Sequence, residues 1–284
     1  MNENIIITNQ EKVEEIKKRW HRVGSDDFHV LADFDRTLTC AFVEGQKSPT
    51  VIAQIRNGDY LGPEYVATSH ALYDKYAPME RDPNLSTEEK NIAMREWWET
   101  HFKLLVDSGL TKQLMDSIVA KRTLRLRSGV DIFLDWLREK KIPLIIMSAA
   151  PGYMLEQYLR QGNQLDKNVH IIANEMLFDP AGKFTGIAEP IIHSLNKYEI
   201  ILKEFPVFKE IKDRKNVLLL GDQPDDVGMI TGFPYKTLLK IGFLNEKSEE
   251  ESPERLKQFT ENFDIVLTGD PGLEYINELL KETF

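Results

Sequence analysis

Apolar residues along this chain fall into two rhythms, one helical and one continuous. Val13, Ile16 and Trp20 recur at helical spacing, predicting a first helix over 9–24 that stops at Gly24. An unbroken apolar run then starts at Phe28 and ends abruptly at Asp33, the pattern of a strand buried on both faces. From Ala41 to Arg127 the rhythm changes. Turn-rich stretches at 44–49 and 57–59 are followed by helical patterns over 64–76, 86–107 and 111–122. The second of these opens with Ser86 and Glu89, the spacing of a capping box. No strand is needed there, and the segment reads as a small helical bundle inserted into a larger fold.

From Ser128 helices and apolar strands alternate. The pattern predicts a helix over 130–140, a strand over 142–147 ending at Ser148, a helix over 153–161 and a strand over 169–173. A hairpin turning at 179–182 follows, then a helix over 196–203 and a strand over 217–220 ending at Gly221 and Asp222. Strands near 237–241 and 264–267 and a C-terminal helix complete it. This is an α/β class pattern, a Rossmann-like parallel sheet with helices on both faces. The expected division is a core of residues 1–40 and 128–284 with an α-helical domain, residues 41–127, inserted between.

Composition narrows the function classes. A chain of 284 residues exceeds the usual domain size of ~100–150, and 42% hydrophobic residues can bury a sizeable core. Lys+Arg 36 against Asp+Glu 46 leaves a net charge of −10, which argues against nucleic-acid polymers and anionic membranes as partners. An anionic substrate must therefore be captured locally, by a metal, a lysine or backbone N–H groups. Cys40 is the single cysteine, so neither an intrachain disulfide nor a cysteine-rich zinc site can form. Residues 1–8 lack a signal-peptide pattern, and no apolar run approaches the ~20 residues of a membrane span. A soluble cytoplasmic protein is expected, with the oligomeric state open and a monomer one option. The acidic run 249–251 reads as a solvated face or loop.

The chemistry collects where strands end. In the stretch Asp33-Phe34-Asp35-Arg36-Thr37, alternation turns Asp33 and Asp35 to one side and Phe34 to the other. Two carboxylates that close repel unless a cation separates them, which suits a divalent metal and acid/base work on a phosphate. The plainer alternative is a strand end followed by an Asp-Thr turn. Ligands of such sheets bind beyond the carboxyl ends of the strands, and Asp33, Ser148 and Asp222 each stand at one. Ser148 and the backbone N–H groups from Ala149 onward are suited to hold phosphate oxygens at a helix start; equally, Ser148 is suited to cap that helix. Asp226 lies one helical turn past Asp222, a spacing that lets both approach one cation, whereas Asp225 is expected to cap or face solvent. Lys197 is not selected by spacing alone, and His193 is expected to be structural.

Taken together, DFDRTLT, the Ser148 strand exit, Lys197 and GDQPDD resemble the four motifs of the haloacid dehalogenase superfamily of phosphatases. The stretch 75–83 (KYAPMERDP), 85–90 (LSTEEK), Glu96-Trp97-Trp98, 178–182 (FDPAG) and 239–245 (LKIGFLN) are similar to the cytosolic 5′-nucleotidase III, or pyrimidine 5′-nucleotidase, family. This resemblance spans nearly the whole chain from Asp33. It implies hydrolysis of nucleoside 5′-monophosphates, with Asp33 as nucleophile, Asp35 as general acid and base, and Ser148 and Lys197 clamping the phosphoryl group. It also implies Mg²⁺ held by Asp33, the backbone carbonyl of Asp35 and Asp222, with Asp226 close by. The insert becomes a cap that reads the nucleoside, with Glu80 on the base. His101 stands where pyrimidine-type members carry a serine, so the base preference stays open. Trp97 and Trp98 offer either a stacking face or bundle core. Other readings are the same chemistry on 7-methylguanosine monophosphate or phosphoserine, and a nucleotide-binding module without turnover.

Overall fold

The computed structural model describes residues 4–82, 84–197, 205–245 and 253–284. Its centre is a seven-stranded sheet built from β1 (Ile5–Ile7), β2 (Phe28–Ala32), β5 (Leu144–Pro151), β6 (Val169–Asn174), β9 (Asn216–Gly221), β10 (Thr237–Leu244) and β11 (Ile265–Thr268). The spatial order is β1-β11-β10-β9-β2-β5-β6. Every pairing is parallel except that of β1 with β11. All five residues of β2 and all six of β9 are buried, which explains their continuous apolar sequence. Alternate side chains serve opposite faces: Val30, Ile146 and Leu218 join one core cluster, Leu31, Ile145 and Leu219 the other. After β2 the chain adds β5 and β6 on one side, then returns to add β9, β10 and β11 on the other. That reversal opens a crevice at the carboxyl end of β2.

The helices follow their sequence signals. In α1 (Gln10–Val23) the Asn9 side chain caps the start, and Gly24, at φ 74°, ends it. Val13, Ile16 and Trp20 are buried, and Trp20 meets Phe28 edge-on at 4.7 Å. Between β2 and β5 lie α2 (Val51–Asn57), α3 (Pro63–Arg81), α4 (Thr87–Asp107) and α5 (Lys112–Ala120). Ser86 and Glu89 form the expected capping box, and Thr111 caps α5. Past them come α6 (Val130–Glu139), α7 (Gly152–Gln161), α8 (Phe208–Ile211), α9 (Pro253–Asn262) and α10 (Glu274–Thr283). The hairpin of β7 (Met176–Phe178) and β8 (Phe184–Ile187) turns where Asp179 and Gly182 predict.

Several expectations need correction. The stretch before α2 does contain strand: β3 (Phe42–Val43) pairs antiparallel with β4 (Gln46–Lys47). Glu44 and Gly45, both at positive φ, make the two-residue turn that closes such a hairpin. Two-residue strands are too short to leave a periodic signal. β5 does not stop before Ser148 but runs to Pro151, with an irregular register against β6. The Asn174 side chain sustains that extension by donating to the carbonyls of Ala149 and Ile192. α3 continues through Pro78 to Arg81, past its predicted end. The segment after Asp222 is a 3₁₀ helix, Pro224–Ile230, led by a proline. β1, α2, α8 and α9 have no counterpart among the predicted elements. Near Lys197 only a short 3₁₀ turn, Ser194–Asn196, is described; residues 198–203 of the predicted helix and the acidic run 249–251 lie outside the described residues.

One buried cation ties the insert's entry and exit to the loop after β2. The Arg127 guanidinium donates to the carbonyls of Arg36, Thr37 and Pro271, to Asp270 Oδ1 and to Asn245 Oδ1, at 2.5–2.8 Å. Those five bonds match its five N–H donors. Asp270 in turn accepts from the backbone N–H groups of Ala41 and Phe42. Breaking a buried pair strands the remaining charge. Arg127→Met is therefore expected to cost ~3–5 kcal/mol of stability, read from urea denaturation; an unchanged midpoint would contradict this.

Candidate active site

The crevice at the end of β2 widens into a cleft of about 1090 Å³, lined by Asp33, Asp35, Ser148, Ala149, Lys197, Asp222, Asp225 and Asp226 at one end. Asp33 follows the last residue of β2, and its N–H still pairs with Leu220 O of β9. Asp222 follows β9 in the same way. The Lys197 ammonium sits between two carboxylates, 2.5 Å from Asp33 Oδ1 and 3.1 Å from Asp226 Oδ1. Asp226 Oδ2 accepts from the N–H groups of Asp222 and Gln223, both at 3.0 Å. Gly221 is required here, because a Cβ would lie 2.5 Å from that of Asp226. The Asp226 carboxylate thus has both oxygens occupied, fixing Lys197 and the turn that presents Asp222. Asp225 is exposed, as expected.

This arrangement crowds negative charge. Asp33, Asp222 and Asp226 are buried and each brings an oxygen within 4.8 Å of the others. Burial raises the Asp33 carboxyl strongly; Lys197 opposes this, while Asp226 and Asp222 add to it. Burial, then Asp226, raises Asp222 also. Burial pulls the Lys197 pKa down, but Asp226 and Asp33 outweigh it and raise it overall, keeping the ammonium charged. Three carboxylates facing one ammonium, all offering oxygen, form a donor set that fits a small hard divalent cation. Asp35 stands apart. Its carboxylate accepts from Val51 N, at 2.9 and 3.2 Å, at the start of α2. Burial, reinforced by Asp33, pushes Asp35 up to about 7.

Ser148 does not cap α7, whose N-cap is Pro151; instead its Oγ accepts from Ala150 N at 3.1 Å. The same cleft is also lined by Glu80, Trp97, Trp98, His101, Tyr60 and Tyr73. His101 is buried, with Nε2 3.1 Å from the Tyr65 hydroxyl, and burial followed by the charge of Arg56 pulls its pKa down to about 4. It is neutral at physiological pH. Trp98 packs on Phe102 at 5.2 Å yet also lines the cleft, so core and cleft-wall roles coexist. His193 is buried and does not line the cleft. Sequence reasoning missed Arg36, Gln54, Arg56 and Thr123 in the lining. Gln54 accepts from the Thr123 and Tyr158 hydroxyls. Arg36 follows Asp35 directly and shares its place at the cleft; Gln54, Arg56 and Thr123 have no spacing signal, and tertiary packing brings them there.

Residues 36–284 match the family model described as pyrimidine 5′-nucleotidase (UMPH-1). The chain belongs to that family. It is 36% identical over 264 residues, 93% of its own length and 90% of the relative's, to the 7-methylguanosine phosphate-specific 5′-nucleotidase A of Xenopus laevis. Against the human 7-methylguanosine phosphate-specific 5′-nucleotidase it is 33% identical over 282 residues, 99% and 93% of the two lengths. Its fold superimposes on cytosolic 5′-nucleotidase IIIB bound to cytidine with a TM-score of 0.90, at 28% identity, covering 100% and 94% of the two chains. A substrate-bound phosphoserine phosphatase, at TM-score 0.54 and 16% identity over 89% of this chain and 96% of that one, shares the fold alone. This pyrimidine 5′-nucleotidase family member has the haloacid dehalogenase fold and is a phosphoric monoester hydrolase of the 5′-nucleotidase class.

The electrostatics predict a pH signature. Asp35 binds its proton more tightly when folded, about 7 against an ordinary 3.8, and Asp33 and Asp222 shift the same way. Between about pH 4 and 7 the metal-free folded state holds protons that the unfolded chain has lost. The stability these groups contribute is therefore lost as pH rises through that window. In chelator, urea midpoints should increase from pH 8 to pH 5 more than in Asp222→Asn, and a saturating divalent cation should raise the pH 8 midpoint. Identical profiles for both proteins would refute it.

Proposed function

We propose that this chain hydrolyses nucleoside 5′-monophosphates to nucleoside and phosphate, with Mg²⁺ as cofactor and an aspartyl-phosphate on Asp33. The observation that carries the reading is the contact of Lys197 with both Asp33 and Asp226 in a cleft that Tyr60, Tyr73, Trp97 and Trp98 also line. Asp33 attacks phosphorus, and the bond to the ribose O5′ breaks with its electron pair leaving on that oxygen. Asp35 gives the leaving oxygen a proton; a pKa about 7 keeps a useful fraction protonated at neutral pH. The resulting Asp35 carboxylate then takes a proton from water as it attacks the aspartyl-phosphate, releasing phosphate and regenerating Asp33. Val51 N–H holds Asp35 throughout. Lys197, Ser148 and the backbone at Ala149 bind the phosphoryl oxygens.

Asp33, Asp222 and the backbone carbonyl of Asp35 would hold the metal, with Asp226 beside them, mainly orienting Lys197. When bound, Mg²⁺ supplies the positive charge that lets an anionic nucleophile approach an anionic phosphate. Residues 1–40 and 128–284 act as the catalytic core and residues 41–127 as the cap. From the cap, α3 and α4 bring Glu80, Trp98 and His101 to the base. The cytidine bound to the structural neighbour supports a nucleoside in this cleft. A second reading, 7-methylguanosine monophosphate as substrate, is favoured by the relatives' names.

Rates with CMP, UMP, AMP, GMP, 7-methyl-GMP and phosphoserine, with Mg²⁺ and after chelation, test the proposal. A nucleotide should lead and chelation should abolish turnover; phosphoserine ahead of every nucleotide would overturn it. Asp33→Asn is expected to remove turnover with the thermal midpoint retained, and residual wild-type rates would exclude Asp33 as nucleophile. Asp35→Asn should slow nucleotides by ~10²–10⁴-fold, the usual worth of a general acid, and activated aryl phosphates much less. Equal losses on both would remove Asp35 from that role.

A further inference from the structure

A chain of hydrogen bonds reaches the acidic cluster from α9, an element that supplies none of its carboxylates. Asp222 Oδ2 accepts from the Gln223 side-chain amide, Nε2, at 2.9 Å. Gln223 Oε1 in turn accepts from Arg255 Nη2 at 2.7 Å. Arg255 stands half-buried in the first turn of α9, its guanidinium 5.0 Å from the centroid of the Phe259 ring one turn on. Phe259 is fully buried in the core cluster that also holds Val217 and Leu219 of β9. Arg255 is thereby anchored to the layer that covers the strand leading to Asp222.

The chemistry of the three groups fixes the direction of this chain. A guanidinium only donates, and an ionised carboxylate only accepts. The amide between them has one orientation that satisfies both, oxygen toward Arg255 and NH₂ toward Asp222. Turned over, it would set donor against donor and acceptor against acceptor. Its backbone is held as well. Pro224 restricts the residue before it to extended conformations; Gln223 has φ −132° and ψ 146°, and its N–H donates to Asp226 Oδ2 at 3.0 Å.

Asp222 needs such support. The terminal torsion of an aspartate is soft, and the neighbouring carboxylates of Asp33 and Asp226 would otherwise turn it away from them. The Gln223 amide takes one oxygen, and among the described residues no donor reaches the other, Oδ1, which is left for a cation.

Resting on the metal reading above, we propose that Arg255 is a positioning residue for the divalent cation. It holds the Gln223 amide with its NH₂ on Asp222, and that bond sets the carboxylate for coordination. Arg255 acts through Gln223, not on the substrate or the cation itself.

The test titrates Mn²⁺, which takes oxygen ligands as Mg²⁺ does, into the metal-free protein without nucleotide, and reads the EPR signal of the unbound ion. Arg255→Met and Gln223→Leu should each raise the Kd by roughly tenfold or more, the usual worth of a group that orients a metal ligand. Methionine keeps an unbranched stem beside Phe259 and removes the donors. In the Gln223→Leu background, Arg255→Met should add less than about twofold, because its route to Asp222 is already cut. Thermal midpoints in chelator should match the wild type, and Arg255→Gln gives the same reading should methionine unsettle α9. With substrate, kcat should return toward the wild-type value at saturating Mg²⁺, while the Mg²⁺ concentration for half-maximal rate rises in step with the Kd. An unchanged Kd in Arg255→Met, or an equal loss with and without Gln223, overturns the inference and leaves the metal reading in place. A wild type that binds no Mn²⁺ would overturn both.

Discussion

Repulsion among carboxylates at the ends of β2 and β9 governs this molecule. Asp33, Asp222 and Asp226 are buried together, and among the described residues Lys197 is the ammonium set among them. Much of the nearby backbone serves to hold that unfavourable grouping. Gly221 clears room for Asp226, whose two oxygens are consumed by Lys197 and by two backbone N–H groups. The sheet contributes because its order reverses beside β2, leaving a gap between strand ends that side chains from separate strands can share. A folded protein tolerates such crowding where a cation, or a proton retained on one of the acids, relieves it.

The second dependence links this floor to the helices between β2 and β5. Asp35 is oriented by Val51 N, the first residue of α2, so its carboxyl is held by a helix between β2 and β5 rather than by the strand that precedes it. Arg127 and Asp270 brace both crossings between the two parts, holding the carbonyls of Arg36 and Thr37 and the N–H groups of Ala41 and Phe42. A shift of the insert would therefore move the acid relative to Asp33. One short stretch of α2 thus carries both Val51, which holds Asp35, and Gln54 and Arg56, which line the cleft.

The elements with repeated local signals were legible before any coordinate. Buried strands read as unbroken apolar runs, α1 and α4 as capped amphipathic patterns, and the β7–β8 turn as Asp-Pro-Ala-Gly. Where the reading fell short, the missing cause was non-local. β5 extends through Ser148 because Asn174 holds the Ala149 carbonyl from the neighbouring strand. β3 and β4 are too short for any period, and β1 gains its place by pairing with β11, some 260 residues later in the chain.

The same division holds at the site. Asp33, Asp35, Ser148 and Asp222 stand at apolar-to-polar breaks, a feature of neighbouring residues, so the sequence alone located them and the acids' demand for a cation. Lys197 was recognisable from family resemblance and not from its own surroundings. That its ammonium joins Asp33 to Asp226, that Asp226 also holds the N–H groups of Asp222 and Gln223, and that Arg56 lines the cleft over the Tyr73 ring are consequences of packing between segments far apart in the chain. Periodicity reports which face of an element is buried; it carries no information about which distant side chain will be waiting there.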